Sequence, residues 1–84
     1  MLISGVDKMN IDKRPLDVLN KAKDKKVYIL LKNGKELRGI LQAVDIHINM
    51  WIKDTELIDG ESQKRMGELL VRGDSVVFVS SLNE

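Results

Sequence analysis

The chain has 84 residues, 14 Lys and Arg against 13 Asp and Glu, a formal net charge of +1 and no cysteine. Such a length supports one small domain, near the size at which a hydrophobic core alone is marginal, and the lack of cysteine excludes disulfides or a thiolate metal site as reinforcement. The near-neutral charge excludes a global basic field as the means of holding nucleic acid, and no apolar run is long enough to span a membrane.

Residues 1–13 mix apolar and charged side chains without period and read as an N-terminal extension, leaving residues 14–84 as a single domain. The first residues lack the charged-then-apolar order of a secretory signal, so a soluble, cytoplasmic protein is expected. Pro15 suits the first position of a helix, and Leu16, Leu19 and Ala22 form a narrow apolar stripe behind it. A helix of about two turns cannot stand alone and must lie against other structure. Lys21, Lys23, Lys25 and Lys26 cluster near its C-terminal end, where the helix dipole favours cations; a solvated helix end is the plainer reading, RNA phosphate contact the other.

Val27 to Leu31 is a compact β-type run. Lys32-Asn33-Gly34-Lys35 follows, and Asn-Gly between apolar runs predicts a hairpin with a type I′ turn. The second strand starts near Glu36 or Leu37. Gly39 and Ala43 within it predict a close backbone approach or a bend, as a small curled sheet requires.

From Val44 to Ile52 the chain alternates strictly between apolar and polar faces, the pattern of a half-buried strand. Taken literally, Leu37–Asp54 would form one strand of roughly 60 Å, too long for a domain of this size. The chain must therefore bend, and Asp45–Asn49 is the expected place, since Asp and Asn form turns better than strands. Ile46 and Ile48 are then expected to anchor that corner to the core. A third strand through Met50–Lys53 comes next, then a turn at Asp59–Ser62. A fourth strand covers Gly67–Val71; Arg72-Gly73-Asp74 interrupts, and a fifth covers Ser75–Val79. Strands so short and apolar, left at a sheet edge, invite pairing with other copies.

These residues resemble the Sm and Sm-like (LSm) proteins, particularly the archaeal ones. The first motif of that family is matched over Lys26–Glu56, through Lys-Asn-Gly-Lys-Glu-Leu-Arg-Gly (Lys32–Gly39) and the Asp-x-His-x-Asn unit of Asp45, His47 and Asn49. The second is matched over Gly67–Val79, centred on Val71-Arg72-Gly73-Asp74-Ser75-Val76. The chain departs from the pattern at Ala43 and Val44, where Gly and an aromatic are usual, at Ile48, where Met is common, and at Trp51, where an aliphatic residue is usual. These changes touch packing around the bend. The bacterial branch carries a second motif centred on Lys-His, which is missing here.

The resemblance implies a mostly β fold, a short N-terminal helix on a five-stranded, strongly bent antiparallel sheet (the Sm fold, an SH3-like open barrel). It implies a homo-oligomeric ring, usually of seven subunits, in which the fifth strand of one subunit pairs with the fourth of the next. It also implies binding of single-stranded U-rich RNA near the central pore, one base per subunit. No cofactor and no catalysis are expected, and one histidine with no cysteine supports no metal site.

The chemistry of the matched residues is compatible. Single-stranded RNA is read by splaying bases out, stacking them on flat groups and hydrogen-bonding their edges. His47 is a flat ring and Arg72 a flat cation. Asn49 carries donor and acceptor on one amide, matching the imide edge of uracil. Asp74 reads as support for Asn49, Arg72 or a backbone amide, Asp45 as a brace for the corner, and Gly73 as a place where the backbone passes close to the base or sugar. Each residue has a plainer reading too: His47 as a surface histidine, Asn49 as a turn former, Arg72 with Asp74 as a loop ion pair, and Tyr28, Trp51 and Phe78 as core or interface aromatics. Two rivals stand beside RNA binding: a hydrolase built on Ser75, His47 and an Asp, which lacks any sign of a nucleophile elbow, and a small β-barrel that only binds other proteins.

Overall fold

A computed structural model of the protein describes residues 14–82; the extension expected over residues 1–13 lies outside the described residues. Helix α1 spans Pro15–Asn20 and starts with Pro15 at its first position, while Asp17 accepts a 3.3 Å hydrogen bond from the Arg14 backbone N–H. None of its residues is fully buried; Leu19 packs against the core and Ala22, just beyond the helix, is inside it. The helix exit is tied to the sheet by two backbone hydrogen bonds, Asp24 N–H to Leu41 O and Leu41 N–H to Lys25 O. A two-turn helix survives because these bonds and the apolar contact hold it down. No helix among the described residues is long and apolar enough to cross a membrane.

Five antiparallel strands follow: β1 (Lys26–Leu31), β2 (Glu36–Val44), β3 (Met50–Asp59), β4 (Ser62–Val71) and β5 (Val76–Ser81). Their order in the sheet is β4-β3-β2-β1-β5, so β4 and β5 are its two edges. The core lies on one face of the sheet, where Val27, Ile29, Leu37, Leu41, Met50, Ile52 and Val71 are buried.

The bend comes from irregularities that line up across three strands. Between Arg38 and Ile40 the register of β2 on β3 shifts, and between Ile52 and Glu56 that of β3 on β4 shifts. Asp54 on β3 and Gly67 on β4 take positive φ there. Extra residues of this kind increase local twist and bend the strand that carries them. Gly39 sits between them, and a Cβ on it would strike the Ile52 side chain. The close approach expected from the sequence is thus a packing of β2 onto β3. A second shift, between Leu41 and Ala43, turns Ala43 outward beside Trp51 and Val44 inward beside Met50.

Two expectations need correction. The β1–β2 hairpin is present, but only Gly34 has positive φ; Gly34 N–H bonds Leu31 O at 2.9 Å and Lys35 N–H bonds Asn33 Oδ1 at 2.9 Å. This is the longer hairpin loop with a left-handed glycine at its end, in place of a type I′ turn. Strands β3 and β4 are also longer than expected, since Glu56, Leu57 and Ile58 pair with Arg65, Lys64 and Gln63 around a two-residue loop at Gly60. Polar side chains on the β4 arm hid this ribbon: Ser62–Arg65 are exposed throughout and show no alternation, while Leu57 on the β3 arm packs against the core. Of the two plainer readings of Tyr28, Trp51 and Phe78, core or interface, the exposure of Trp51 (43%) and Phe78 (47%) and the half-burial of Tyr28 leave the interface one.

Candidate nucleic-acid interface

The turn between β2 and β3 is organised by one carboxylate. Asp45 Oδ1 accepts hydrogen bonds from the backbone N–H groups of His47 and Asn49, both at 2.9 Å, and Asp45 Oδ2 accepts from Asn49 Nδ2 at 3.0 Å. The backbone closes the same loop, with Asp45 N–H to Asn49 O at 3.1 Å and Ile48 N–H to Asp45 O at 3.0 Å. Donors aimed at a carboxylate favour its charged form. The Asp45 carboxyl is accordingly held below the usual Asp value, first by the Asn49 side-chain amide, then by the Asn49 backbone N–H and, to a lesser extent, the His47 backbone N–H, with burial acting the other way.

A second segment docks onto this turn. Between β4 and β5, Gly73–Ser75 form a single 3-10 turn in which Ser75 Oγ donates to Arg72 O at 2.7 Å. Gly73 N–H donates to Asn49 Oδ1 at 2.7 Å, a bond across 24 residues of chain. The backbones touch closely: a Cβ on Gly73 would fall on the His47 carbonyl. The glycine is therefore required by the turn it presses against, a reason distinct from an approach to base or sugar. Arg72 Nη2 lies 3.2 Å from Asp74 Oδ2, with the two side chains 82% and 68% exposed.

The structure thus joins Asp45, Asn49 and Gly73 by direct hydrogen bonds, sets the His47 backbone against Gly73, and pairs Arg72 with Asp74. His47, Asn49, Arg72 and Asp74 are all exposed. Of the supporting roles open to Asp74, the one observed is its ion pair with Arg72. Among the described residues the Ser75 hydroxyl serves its own turn, donating to a carbonyl and not to a base.

Ile46 does not anchor the corner. It is 76% exposed, whereas Ile48 packs against the core. The alternation breaks because Ile48 takes a left-handed conformation, φ 63°, which rotates the chain out of strand geometry. A β-branched residue there is a backbone outlier worth roughly 1–2 kcal/mol of strain.

Trp51, read above as a core or interface aromatic, and Leu70, which was given no role, also lie here. Trp51 and Leu70 line a shallow groove of about 450 Å³ that runs to Asp45, Asn49 and Arg72. Leu70 is 83% exposed. The sequence signal was available: both are large apolar residues on the outward side of strands whose other side forms the core.

Comparison with known proteins gives the following. The LSM domain family model matches residues 17–81. An snRNP Sm-like protein of Thermococcus kodakarensis is 52% identical over 68 residues, covering 80% of this chain and 90% of that protein. Among solved structures, the Pyrococcus abyssii Sm protein in complex with a uridine heptamer has a TM-score of 0.77 and 46% identity, covering 83% of this chain and all of that one. The P. aerophilum SmAP1 heptamer has a TM-score of 0.80 and 31% identity, covering 83% of this chain and 95% of that one.

Proposed function

Because this chain belongs to the LSM domain family, we propose that it assembles into a homomeric ring, of seven subunits, that holds single-stranded U-rich RNA at its pore, one base per subunit. The role is binding, without catalysis. The single observation that carries this reading is the state of Asn49. Its amide is held on one side by Asp45 and on the other by Gly73 N–H. An amide has two N–H groups and two carbonyl lone pairs, so one donor and one acceptor remain. A donor beside an acceptor, on a group that cannot rotate, is the complement of the imide edge of uracil. Cytosine and adenine offer a different order.

His47 and Arg72, both exposed, supply one flat group from each of the two touching turns. Stacking on such groups is worth about 1–3 kcal/mol per base and tolerates any base, so it gives affinity while Asn49 gives choice. The similarity to a structure that holds a uridine heptamer supports the same ligand. A chain of net charge +1 gains little from counterion release; repetition of one pocket around a ring raises the effective concentration instead. The ring also answers the two open edges, since β4 of one copy can pair with β5 of the next.

The test is binding of short oligo-U, oligo-A and oligo-C at one fixed salt concentration, followed by fluorescence anisotropy. Tighter binding of oligo-U is expected, with one nucleotide per subunit at saturation. Equal binding of all three, or of none, would instead favour a β-barrel that serves only as a protein-interaction module.

A further inference from the structure

The groove beside the two joined turns continues past Asn49 onto the outer face of the sheet. Ala43 of β2, Trp51 of β3 and Leu70 of β4 form one row there, Ala43 opposite Trp51 and Trp51 opposite Leu70. All three are exposed, while Met50, Ile52 and Val71 beside them turn into the core. The row shares its groove with Asp45, Asn49 and Arg72. A volume of about 450 Å³ falls within the range of about 300–1,000 Å³ usual for ligand sites. Folding alone gives no reason for an indole here, since a large apolar side chain left in water is the exception that calls for a partner. The resemblance leads to an aliphatic residue at this position.

Deepening the RNA reading, on which it rests, we propose that Trp51, flanked by Ala43 and Leu70, is a stacking platform for the nucleobase next to the U-run, outside the pocket at Asn49. Continuity with that pocket selects the occupant. Trp51 follows Asn49 by two residues, roughly 7 Å at the rise of a strand, so one RNA strand can present neighbouring bases to both. Charge agrees. Arg72 lines the groove at the end shared with the pocket, and Lys53, exposed two residues beyond Trp51 on the same side of β3, stands past the other end. Cations at both ends suit a phosphate backbone that enters and leaves. Asp45, the one acidic residue lining the groove, already accepts three hydrogen bonds.

A second copy of the chain is the rival occupant. Strand pairing extends a sheet in its own plane, setting the added strand about 4.7–4.9 Å beyond the edge. Trp51 lies one strand inside the β4 edge. Pairing there reaches Leu70 first and puts no backbone over the indole.

Every base has a π-face, so stacking tolerates any sequence. The platform therefore adds affinity for the flanking nucleotide without choosing it, and a purine, with the larger face, gains most.

Trp51 is the only tryptophan of the chain, so its emission reports on the platform directly. A uridine heptamer is compared with the same heptamer carrying one adenosine at its 5′ or its 3′ end, at one fixed salt concentration. Binding is read by anisotropy of labelled RNA and by Trp51 emission, and assembly by native mass spectrometry. In the parent, the adenosine at one of the two ends should tighten binding by about fivefold or more and quench Trp51 beyond any change caused by the heptamer. Trp51→Leu should assemble and bind the extended and plain strands alike. Trp51→Phe, which keeps a flat ring, should recover part of the gain, and Val18→Ser, on the exposed side of α1, should keep all of it.

A parent that prefers the uridine heptamer to an adenosine heptamer, yet gains nothing from the added adenosine at either end, would overturn the platform and leave the uracil pocket standing. So would an equal gain in Trp51→Leu. Trp51 emission that follows dilution of the assembly and ignores RNA would give this face to a second copy and overturn the platform too. A parent that binds uridine and adenosine heptamers equally, or binds neither, would overturn the uracil reading itself and the platform with it.

Discussion

Asn49 Oδ1 accepts a 2.7 Å hydrogen bond from the backbone N–H of Gly73, and the same side chain donates 3.0 Å to Asp45. One amide therefore couples the β2–β3 turn to the β4–β5 turn and is itself immobilised by doing so. Removing it should show in two separate measurements. Asn49→Ala leaves Gly73 N–H without its partner, and a hydrogen bond of this kind contributes about 0.5–1.5 kcal/mol net. A loss of that size is expected in urea unfolding at fixed protein concentration, together with a loss of preference for oligo-U over oligo-C.

Arg72→Ala should separate binding from stability in the opposite way. Its pairing with Asp74 is exposed on both sides, and exposed pairs contribute between about 0 and 1 kcal/mol. Unfolding should change little. Oligo-U binding should weaken by about tenfold or more, in line with the loss of about 1–3 kcal/mol of stacking per base. Parental affinity in this variant would remove Arg72 from the pocket.

The Asp45 carboxyl sits below its ordinary value because the Asn49 side chain and backbone donate to it. A depressed folded-state pKa means that the ionised form is the one folding favours. Its contribution is fully present at neutral pH, begins to fall as pH drops below the unfolded Asp value near about 3.9, and is lost as pH passes through the lower folded value. Unfolding of the parent should therefore weaken on acidification in that window. Asp45→Asn should be less stable at pH 7 and should lose less of its stability across the same window. Parallel curves for the two chains would rule out this source of acid sensitivity.

Gly73→Ala tests contact at close range. The added Cβ would strike the His47 carbonyl, which is backbone and cannot swing aside. Overpacking of this sort costs about 1–3 kcal/mol, and the turn should shift, taking the Gly73 N–H away from Asn49. Thermal unfolding should show the loss. Amide exchange at Asn49 and Gly73 should quicken while that of Ile29 and Leu41 in the core stays slow.

Ile48 holds φ 63° while packing against the core. An unbranched apolar residue suffers less in that conformation than one with two heavy atoms on Cβ. Ile48→Met keeps the apolar contact and should raise stability by up to about 1 kcal/mol, read from the urea midpoint at unchanged m-value.

Much of the fold was legible before the structure. Pro15, the Asn33-Gly34 turn and the apolar runs placed the helix and all five strands, because each rests on local chemistry: a fixed φ, an allowed positive φ, a side that must leave water. The reach of β3 and β4 was not legible, since Lys64, Arg65 and Glu56 carry no apolar period. Their strand state comes from cross-strand hydrogen bonds, which a single segment cannot reveal. Ile46 failed for a different reason, a local one. Alternation assigned it to the core face, and one left-handed residue, Ile48, turned it outward.

The corner itself shows the division most clearly. The sequence by itself determined that Asp45, His47 and Asn49 lie in a turn, since a strand through them would be longer than the domain and Asp and Asn favour turns. It determined also that Arg72-Gly73-Asp74 interrupts two strands. Only the tertiary structure decided that Asn49 is held by Gly73, that Gly73 is glycine because of the His47 carbonyl, and that the outer side of Trp51 and Leu70 ends at an open edge. Those are contacts between segments 24 residues apart, and they exist only because the sheet bends at Gly39, Asp54 and Gly67 and brings its two turns together.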